Sequence, residues 1–436
     1  MRIFEVGLRN FRCFEAYSLR LGRRFSLLIG ENGSGKTAML DALAVAAGSF
    51  LLGIPEATSR PINGDELRAV NLAMGQSVTR ESIGETEVFA RGEIDGLDLQ
   101  WKRTLRSANA RTTRQFASKL QQAAKILVER AKEGTPTTFP VLAFYGTGRL
   151  WKNLNESKGS TNGVGSRYLG YKDCLNPASD QKRLLRWFKT NEMVALQKRQ
   201  KRLVLEAVRA SIVAMIPGAT NAFWDLEWDE LTIDVTIDER DQRLPFHLLS
   251  DGYRNVVGIA ADIGYRMATL NPQLLDRVTA ETPGIVLVDE IDLHLHPNWQ
   301  RKVVGHLLRA FPQVQFVATT HSPFIIQSLH GLDDSLLWDL GTRQPLALET
   351  KSIEDIAEEK QGVEIPQQSQ RFLDMMQAAE RYYALLREAH DVDSHRLEQL
   401  KRELDRLSLP YSDQPAFQAF LSQERYAAGL NGSGDS

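Results

Sequence analysis

Residues 1–21, MRIFEVGLRNFRCFEAYSLRL, alternate apolar and polar positions, the period-two pattern of two half-buried strands. RFSLLIG (24–30) is a solid apolar run ending in glycine and predicts a buried strand. TAMLDALAVAAGSFLLG (37–53) has helical spacing. Residues 54–85 are mixed, broken by Pro55, Pro61 and several glycines. Alternation returns in VFARGEIDGLDLQWKRTL (88–105), which predicts a hairpin. A helix is expected over 113–134, a buried strand over 138–146, and two helices with a short break over 178–216. LEWDELTIDVTIDE (226–239) reads as strand and 252–270 as helix. Buried strands are expected at 283–290 and 314–320, with a helix at 298–311 between them. Another helix opens at 322–329, and 368–408 is strongly helical and charged. No internal repeat is found, and the polar tail NGSGDS (431–436) predicts disorder.

Three stretches carry chemistry. GENGSGKT (30–37) lies between a predicted buried strand and a helix, the context of a phosphate-binding P-loop. Asn32, Gly33, Ser34 and Gly35 supply backbone N–H groups, Lys36 a charge for the β- and γ-oxygens, and Thr37 a hydroxyl for Mg²⁺. GIVLVDEID (284–292) ends a strand on Asp289, placed to hold Mg²⁺ through water, and Glu290, placed to take a proton from an attacking water. VATTHSPF (317–324) ends a second strand at His321, a γ-phosphate donor. HLLSDGYRN (247–255) has no nucleophile–base pair, and Ser-Asp-Gly before a helix is commonly only an N-cap. The spacing of His294 and His296 fits a strand better than a zinc pattern.

In order, NFRCF (10–14), GENGSGKT (30–37), LLSDGYRN (248–255), LVDEIDLHLHP (287–297) and TTHSP (319–323) resemble the ABC-type P-loop ATPases, in the branch with RecF-like, SMC-like and OLD-like proteins. The resemblance implies an α/β ABC-ATPase head: a P-loop mixed sheet with flanking helices and an antiparallel β subdomain. Residues 1–345 would form that head, with a largely helical basic insertion at about 105–220. A helical C-terminal region would follow over 346–430 for partner or oligomer contacts, then the tail at 431–436. The family sandwiches two ATP molecules between two heads, so Ser250 and Gly252 would meet the γ-phosphate held by the partner subunit. Arg12 would lie near the nucleotide. Asp251 departs from the glycine of the common signature, and Arg149 stands where a Mg²⁺-sensing glutamine is usual. The run 292–296 corresponds to a loop crossing the dimer interface.

DEIDLHLHPNWQ, THSPFIIQSL, QRFLDMMQAAERYYALLREA and LPYSDQPAFQAFLSQER further resemble the ATPases of Septu and retron-linked anti-phage systems. That likeness implies an ATP-hydrolysing regulatory subunit, in dimers of heads or a higher oligomer, controlling a separate HNH nuclease. A RecF-like repair ATPase that binds DNA directly is the alternative.

Composition narrows the classes. Hydrophobic content of 42%, charged content of 25% and formal net charge of −2 are those of an ordinary globular chain. Cys13 and Cys174 are its only cysteines, which argues for a reducing, cytoplasmic setting. No membrane span is expected, so a transporter ATPase fits poorly. Residues between the P-loop and the signature are broken by Pro and Gly, which excludes a long coiled coil. Asp391 and Asp393 sit in a helix-patterned run and not at strand ends, against a fused Toprim nuclease. Segments 101–130 and 181–202 each hold eight Lys/Arg against one acid, and keep DNA contact through the insertion open. Trp187 and Phe188 either stack on bases or pack in the core.

Overall fold

The computed structural model describes residues 1–74, 77–150, 166–177, 181–237, 239–348, 351–362, 369–388 and 394–408. Its strands are β1 (Arg2–Phe11), β2 (Phe14–Arg20), β3 (Phe25–Ile29), β4 (Ala69–Met74), β5 (Ser77–Ser82), β6 (Thr86–Ile94), β7 (Leu97–Leu105) and β8 (Val141–Tyr145). They continue with β9 (Ala219–Asp225), β10 (Glu230–Ile237), β11 (Arg240–Pro245), β12 (Gly284–Val288), β13 (Val314–Thr319), β14 (Ser335–Asp339) and β15 (Gln344–Leu346). The helices are α1 (Lys36–Gly48), α2 (Ser118–Lys132), α3 (Gln181–Lys198), α4 (Leu203–Val213), α5 (Asp251–Leu270) and α6 (Val278–Glu281). After them come α7 (Pro297–Ala310), α8 (Pro323–Ser328), α9 (Ile353–Gln361), α10 (Gln370–Glu388) and α11 (Ser394–Ser408).

Two compact units divide at Ile356/Ala357, eleven residues beyond the expected end of the head at 345. In the first, a six-stranded sheet has the order β15-β14-β3-β13-β12-β8, parallel from β14 to β8. β3, β8, β12 and β13 are buried at every residue, as strands covered on both faces must be. β8 lies inside the stretch read as an insertion, so that stretch is threaded through the main sheet. An antiparallel sheet, β2-β1-β6-β7, carries the alternating segments, and Asp95 and Gly96 at positive φ close the β6–β7 hairpin as a type I′ turn demands. A three-stranded sheet, β11-β10-β9, and the β4–β5 pair complete the strands.

Helix α1 packs against β1, β6 and β7 on one side and β12 and β13 on the other. A helix between two sheets has no solvent face, which is why its sequence is apolar all round. Lys36–Gly53 is the one stretch, among the described residues, long and apolar enough to cross a membrane, and it is 83% buried as this core element. The aromatics of α3 are committed as well: Phe188 is fully buried and Trp187 packs edge-on against Tyr265. That removes them as base-stacking platforms.

In the second unit α10 packs against α11. Phe372, Met375, Ala378, Ala379 and Tyr383 are buried with Leu404, and Met376, Tyr382 and Leu407 cover the edge. The apolar stripe of α10 is therefore used within a helical hairpin. Leu386 has its side chain outside the described residues, as do Asp391, Asp393 and the segment 409–436.

Candidate active site

Helix α1 begins where the glycine-rich loop ends. Its N-cap, Gly35, sits at φ 95°, and no side chain caps the first turn. A Cβ at Gly35 would lie 2.5 Å from the Phe14 ring and 2.7 Å from the Cys13 sulfur, so only glycine fits. The open N–H groups of the first turn are an anion-binding feature. Lys36 is buried, and its Nζ donates to the Gly30 and Glu31 carbonyls at 2.8 and 2.9 Å. Burial lowers its pKa, against the opposing pull of Asp289 and Glu290. Ser34 Oγ is buried without a hydrogen-bond partner. An orphaned hydroxyl, open N–H groups and an adjacent lysine fit a polyphosphate. Asn32 and Gly33 are exposed at the loop tip.

The parallel strands β3, β13, β12 and β8 bring their C-terminal ends to one edge, the usual ligand edge of an α/β sheet. β3 delivers the loop, β13 His321, and β12 Asp289 and Glu290. Thr37 Oγ1 donates to Asp289 Oδ2 at 2.9 Å, and Thr319 Oγ1 donates to Asp289 Oδ1 at 2.6 Å. The same Thr319 oxygen accepts the Glu290 N–H at 2.7 Å, so one hydroxyl fixes both acids. Glu290 sits at φ 48°, a left-handed conformation costing a non-glycine residue about 1–2 kcal/mol. Strain of this kind persists where function over-determines it. Thr37 and Asp289 give a hard cation two oxygens, which suits Mg²⁺ because it keeps waters and takes phosphate oxygens. Among the described residues no cluster of three or more His, Cys, Asp or Glu could hold a metal. His294 lies in a turn at φ 62° and His296 is the N-cap of α7, its ring accepting from the Asn298 N–H, so neither sits in the strand their spacing suggested. His321 is exposed at the end of β13.

Ser250 is the N-cap of α5, exposed, with Oγ accepting from the Tyr253 N–H at 3.4 Å. Gly252 is buried, and a Cβ there would lie 2.4 Å from the His294 carbonyl oxygen. Asn255 Nδ2 donates to the Leu293 carbonyl at 2.9 Å. The start of α5 is thus pinned to the loop following Glu290, which makes Gly252 a packing residue within its own chain.

Arg12 lines a cavity of about 570 Å³ together with Thr37, Asp41, Arg60, Asp173 and Asp289. Its guanidinium pairs with Asp41 at 2.7 Å and Glu66 at 3.2 Å, and Arg60 pairs with the same two acids at 2.6 and 2.7 Å. Burial pushes Asp41 above the usual carboxylate range despite both arginines. Burial acts on Glu66 as well, yet the hydrogen bonds and charge of Arg60 outweigh it and hold Glu66 low. Behind the site, Tyr145 Oη donates to Asp262 Oδ2 at 2.7 Å, and the Tyr145 carbonyl accepts the Asp289 N–H at 2.8 Å. Arg266 Nε donates to Asp262 Oδ2 at 2.7 Å, so a buried network ties the acid-bearing strand to α5. The Arg149 side chain lies outside the described residues.

Arg60, Asp41, Glu66, Asp262 and Arg266 were not picked out from the sequence. They belong to no motif, and their partners are distant in the chain. Thr319 lay inside the quoted TTHSP, but nothing in the string distinguishes its hydroxyl from that of Thr320.

A glycine-rich loop, a capped helix and two acids at a strand end, in that chain order and around this sheet, define an ABC-type P-loop ATPase. Two AAA domain families match the chain, one over residues 5–216, the other, described as a putative AbiEii toxin of a type IV toxin–antitoxin system, over 178–327. More particularly, the chain is similar to the retron Ec83 probable ATPase of Escherichia coli, 22% identical over 79% of this chain and 72% of the relative. It is also similar to the Septu protein PtuA of Bacillus mycoides strain KBAB4, 45% identical over 20% of this chain and 11% of the relative. Among solved structures, the SMC head domain of Thermotoga maritima aligns over 78% of this chain and 94% of that one, at 17% identity and a TM-score of 0.40.

Proposed function

We propose that the chain is the Mg²⁺-dependent ATPase subunit of an anti-phage defence complex, closing head to head around ATP and controlling a separate HNH nuclease of the PtuB type. The observation that carries the composite site is Ser250. Its hydroxyl is exposed and, among the described residues, hydrogen-bonds only to Tyr253, while Lys36, Thr37 and Asp289 form their own cluster. A signature serine whose one contact in its own subunit is a long helix-capping bond is accounted for by a phosphate held in the partner. Similarity to retron and Septu ATPases supports the defence setting.

In this reading Lys36 Nζ leaves the Gly30 and Glu31 carbonyls for phosphate oxygens. The loop and the start of α1 hold the phosphate chain through N–H groups and the Ser34 hydroxyl. Thr37 and Asp289 would hold Mg²⁺, which when bound would offset the negative charge of the phosphates. Glu290, held by the Thr319 hydroxyl, accepts the proton of the attacking water. His321 and the partner's signature serine donate to the γ-phosphate. Arg12 leaves Asp41 for the nucleotide, and Arg60 remains to compensate Asp41 and Glu66.

Mixing Ser250→Arg with Lys36→Ala tests this, since a mixed dimer has one site with both lesions and one with neither. Recovered ATP turnover is expected. No recovery, with mixed dimers demonstrated by differently tagged copies, refutes the sandwich. Co-purification with the neighbour-encoded nuclease tests the partner.

A further inference from the structure

The two basic segments are not equivalent in the folded chain. In 101–130, Lys102 pairs with Glu87 at 2.8 Å, Arg106 with Glu85 at 3.8 Å and Arg130 with Asp95 at 2.7 Å. Arg103 is buried and donates to the Thr113 carbonyl. The first part of 181–202 is likewise engaged, Arg183 with Asp173 at 2.9 Å and Lys189 with Asp229 at 2.5 Å. Arg111, Arg114, Lys119 and Lys125 are exposed without a carboxylate partner among the described residues, but they are spread singly from 111 to 125; the α3–α4 turn differs in its density of charge. Lys198, Arg199 and Lys201 are exposed and Arg202 half-buried, and none of the four has a carboxylate partner among the described residues. The nearest acids in sequence, Glu192 and Glu206, are both taken by Arg209. Four cations therefore stand within five residues, uncompensated.

The backbone of the turn is held, not loose. The Gln200 N–H donates to the Ala195 carbonyl and the Arg199 N–H to the Leu196 carbonyl, both at 3.1 Å, which is the Schellman pairing. Arg199 occupies the left-handed position at φ 50°, where glycine is favoured. An arginine there breaks a local rule with no compensating contact in the chain, and such breaks mark functional sites.

We infer that the turn Lys198–Arg202 is a contact for the phosphate backbone of nucleic acid. Clustered, unpaired cations match closely spaced phosphates. With Trp187 and Phe188 turned into the core, the contact is to backbone and not to base faces. Met193, Leu196 and Leu203 are also exposed beside it, as an anionic bilayer would use. Against a bilayer, α4 packs through Leu205, Val208 and Ile212 and is not free to sink into one.

The test is fluorescence anisotropy of a labelled DNA duplex of arbitrary sequence against salt. Four phosphate contacts give a log–log slope of about −3.6, a loss of roughly a hundredfold in affinity between about 50 and 200 mM salt. The combined variant Lys198→Ala, Arg199→Asn, Lys201→Ala, Arg202→Ala keeps a residue that tolerates the left-handed position and is expected to shrink the slope by about one per cation removed. Lys119→Ala/Lys125→Ala on α2 is expected to leave affinity and slope unchanged. Basal ATP turnover reports folding, and Lys201→Glu alone, at an exposed unpaired side chain, serves should the combined variant not fold. Unaltered affinity and slope in the variant overturns the inference. So does a parent chain that fails to bind the duplex, whether or not it binds phosphatidylserine vesicles.

Discussion

Gly252→Ala probes the junction between the signature helix and the loop after Glu290. A methyl at 252 would lie 2.4 Å from the His294 carbonyl oxygen and 3.5 Å from Leu295 Cα. Carbon–oxygen contacts settle near 3.3–3.6 Å, so a backbone movement of roughly 1 Å is required. The loop resists it, since the Leu293 N–H donates to the Glu290 carbonyl at 3.0 Å and the Leu295 N–H to the Asp292 carbonyl at 2.9 Å. Asn255 holds the Leu293 carbonyl from the helix side at 2.9 Å. Overpacking of this kind costs about 1–3 kcal/mol. A 1 Å displacement relayed to Glu290 is enough for a loss of about 10²-fold in turnover. Urea unfolding and steady-state ATP turnover are measured together, with Ser250→Ala beside them. A loss in both is expected for Gly252→Ala. Stability within about 0.5 kcal/mol of the parent, the range of an unremarkable surface change, together with unchanged turnover refutes the packing argument. Lost turnover with intact stability assigns Gly252 to the partner's phosphate alone.

Asp262→Ala strands the buried Arg266 guanidinium and is expected to cost about 3–5 kcal/mol in urea unfolding, whereas a loss below about 1 kcal/mol contradicts the buried network. Thr319→Val keeps the shape but removes the hydroxyl shared by Asp289 and the Glu290 N–H. It is expected to lower kcat with little change in KM, and the opposite split assigns Thr319 to binding. Cys174 is buried and its thiol pushed up to about 12 by that burial, so it stays protonated at pH 8 and unlabelled by iodoacetamide in the native chain. Burial also raises the Cys13 thiol, so its alkylation should be slow at neutral pH and climb only above the ordinary thiol range, slowed by bound ATP because the sulfur abuts Gly35. Native Cys174 labelling at pH 8, or Cys13 labelling indifferent to ATP, counts against these placements.

The central sheet was legible because burial on both faces forces uninterrupted apolar runs, as in FSLLI, VLAFY and GIVLV. The site was legible where chemistry demands consecutive residues, as in the glycine loop and the Asp-Glu pair. Ion-pair partners such as Arg60 with Asp41 and Glu66 were not, because tertiary proximity leaves no period in the chain. Residues 292–296 alternate without forming a strand: Asp292 and His294 are less buried than Leu295 because the loop turns over α5, with Asp292 accepting from the Thr320 hydroxyl. The segment 368–408 was legible as charged helix, but that Phe372, Met375 and Tyr383 of α10 meet Leu404 of α11 was not, because the pairing of two helices leaves no period in either one.

Single-turnover hydrolysis of ATP by Glu290→Gln, set beside nucleotide binding by the same protein, bears most directly on the ATPase reading. Glutamine preserves the size of the side chain and the Glu290 N–H bond to Thr319 while removing the proton acceptor. Mg-ATP binding close to that of the parent and a hydrolysis rate lower by about 10²–10⁴-fold are predicted, the range of general-base assistance. A rate within about twofold of the parent, with ATP binding intact, would contradict the role given to Glu290 and the site built around it.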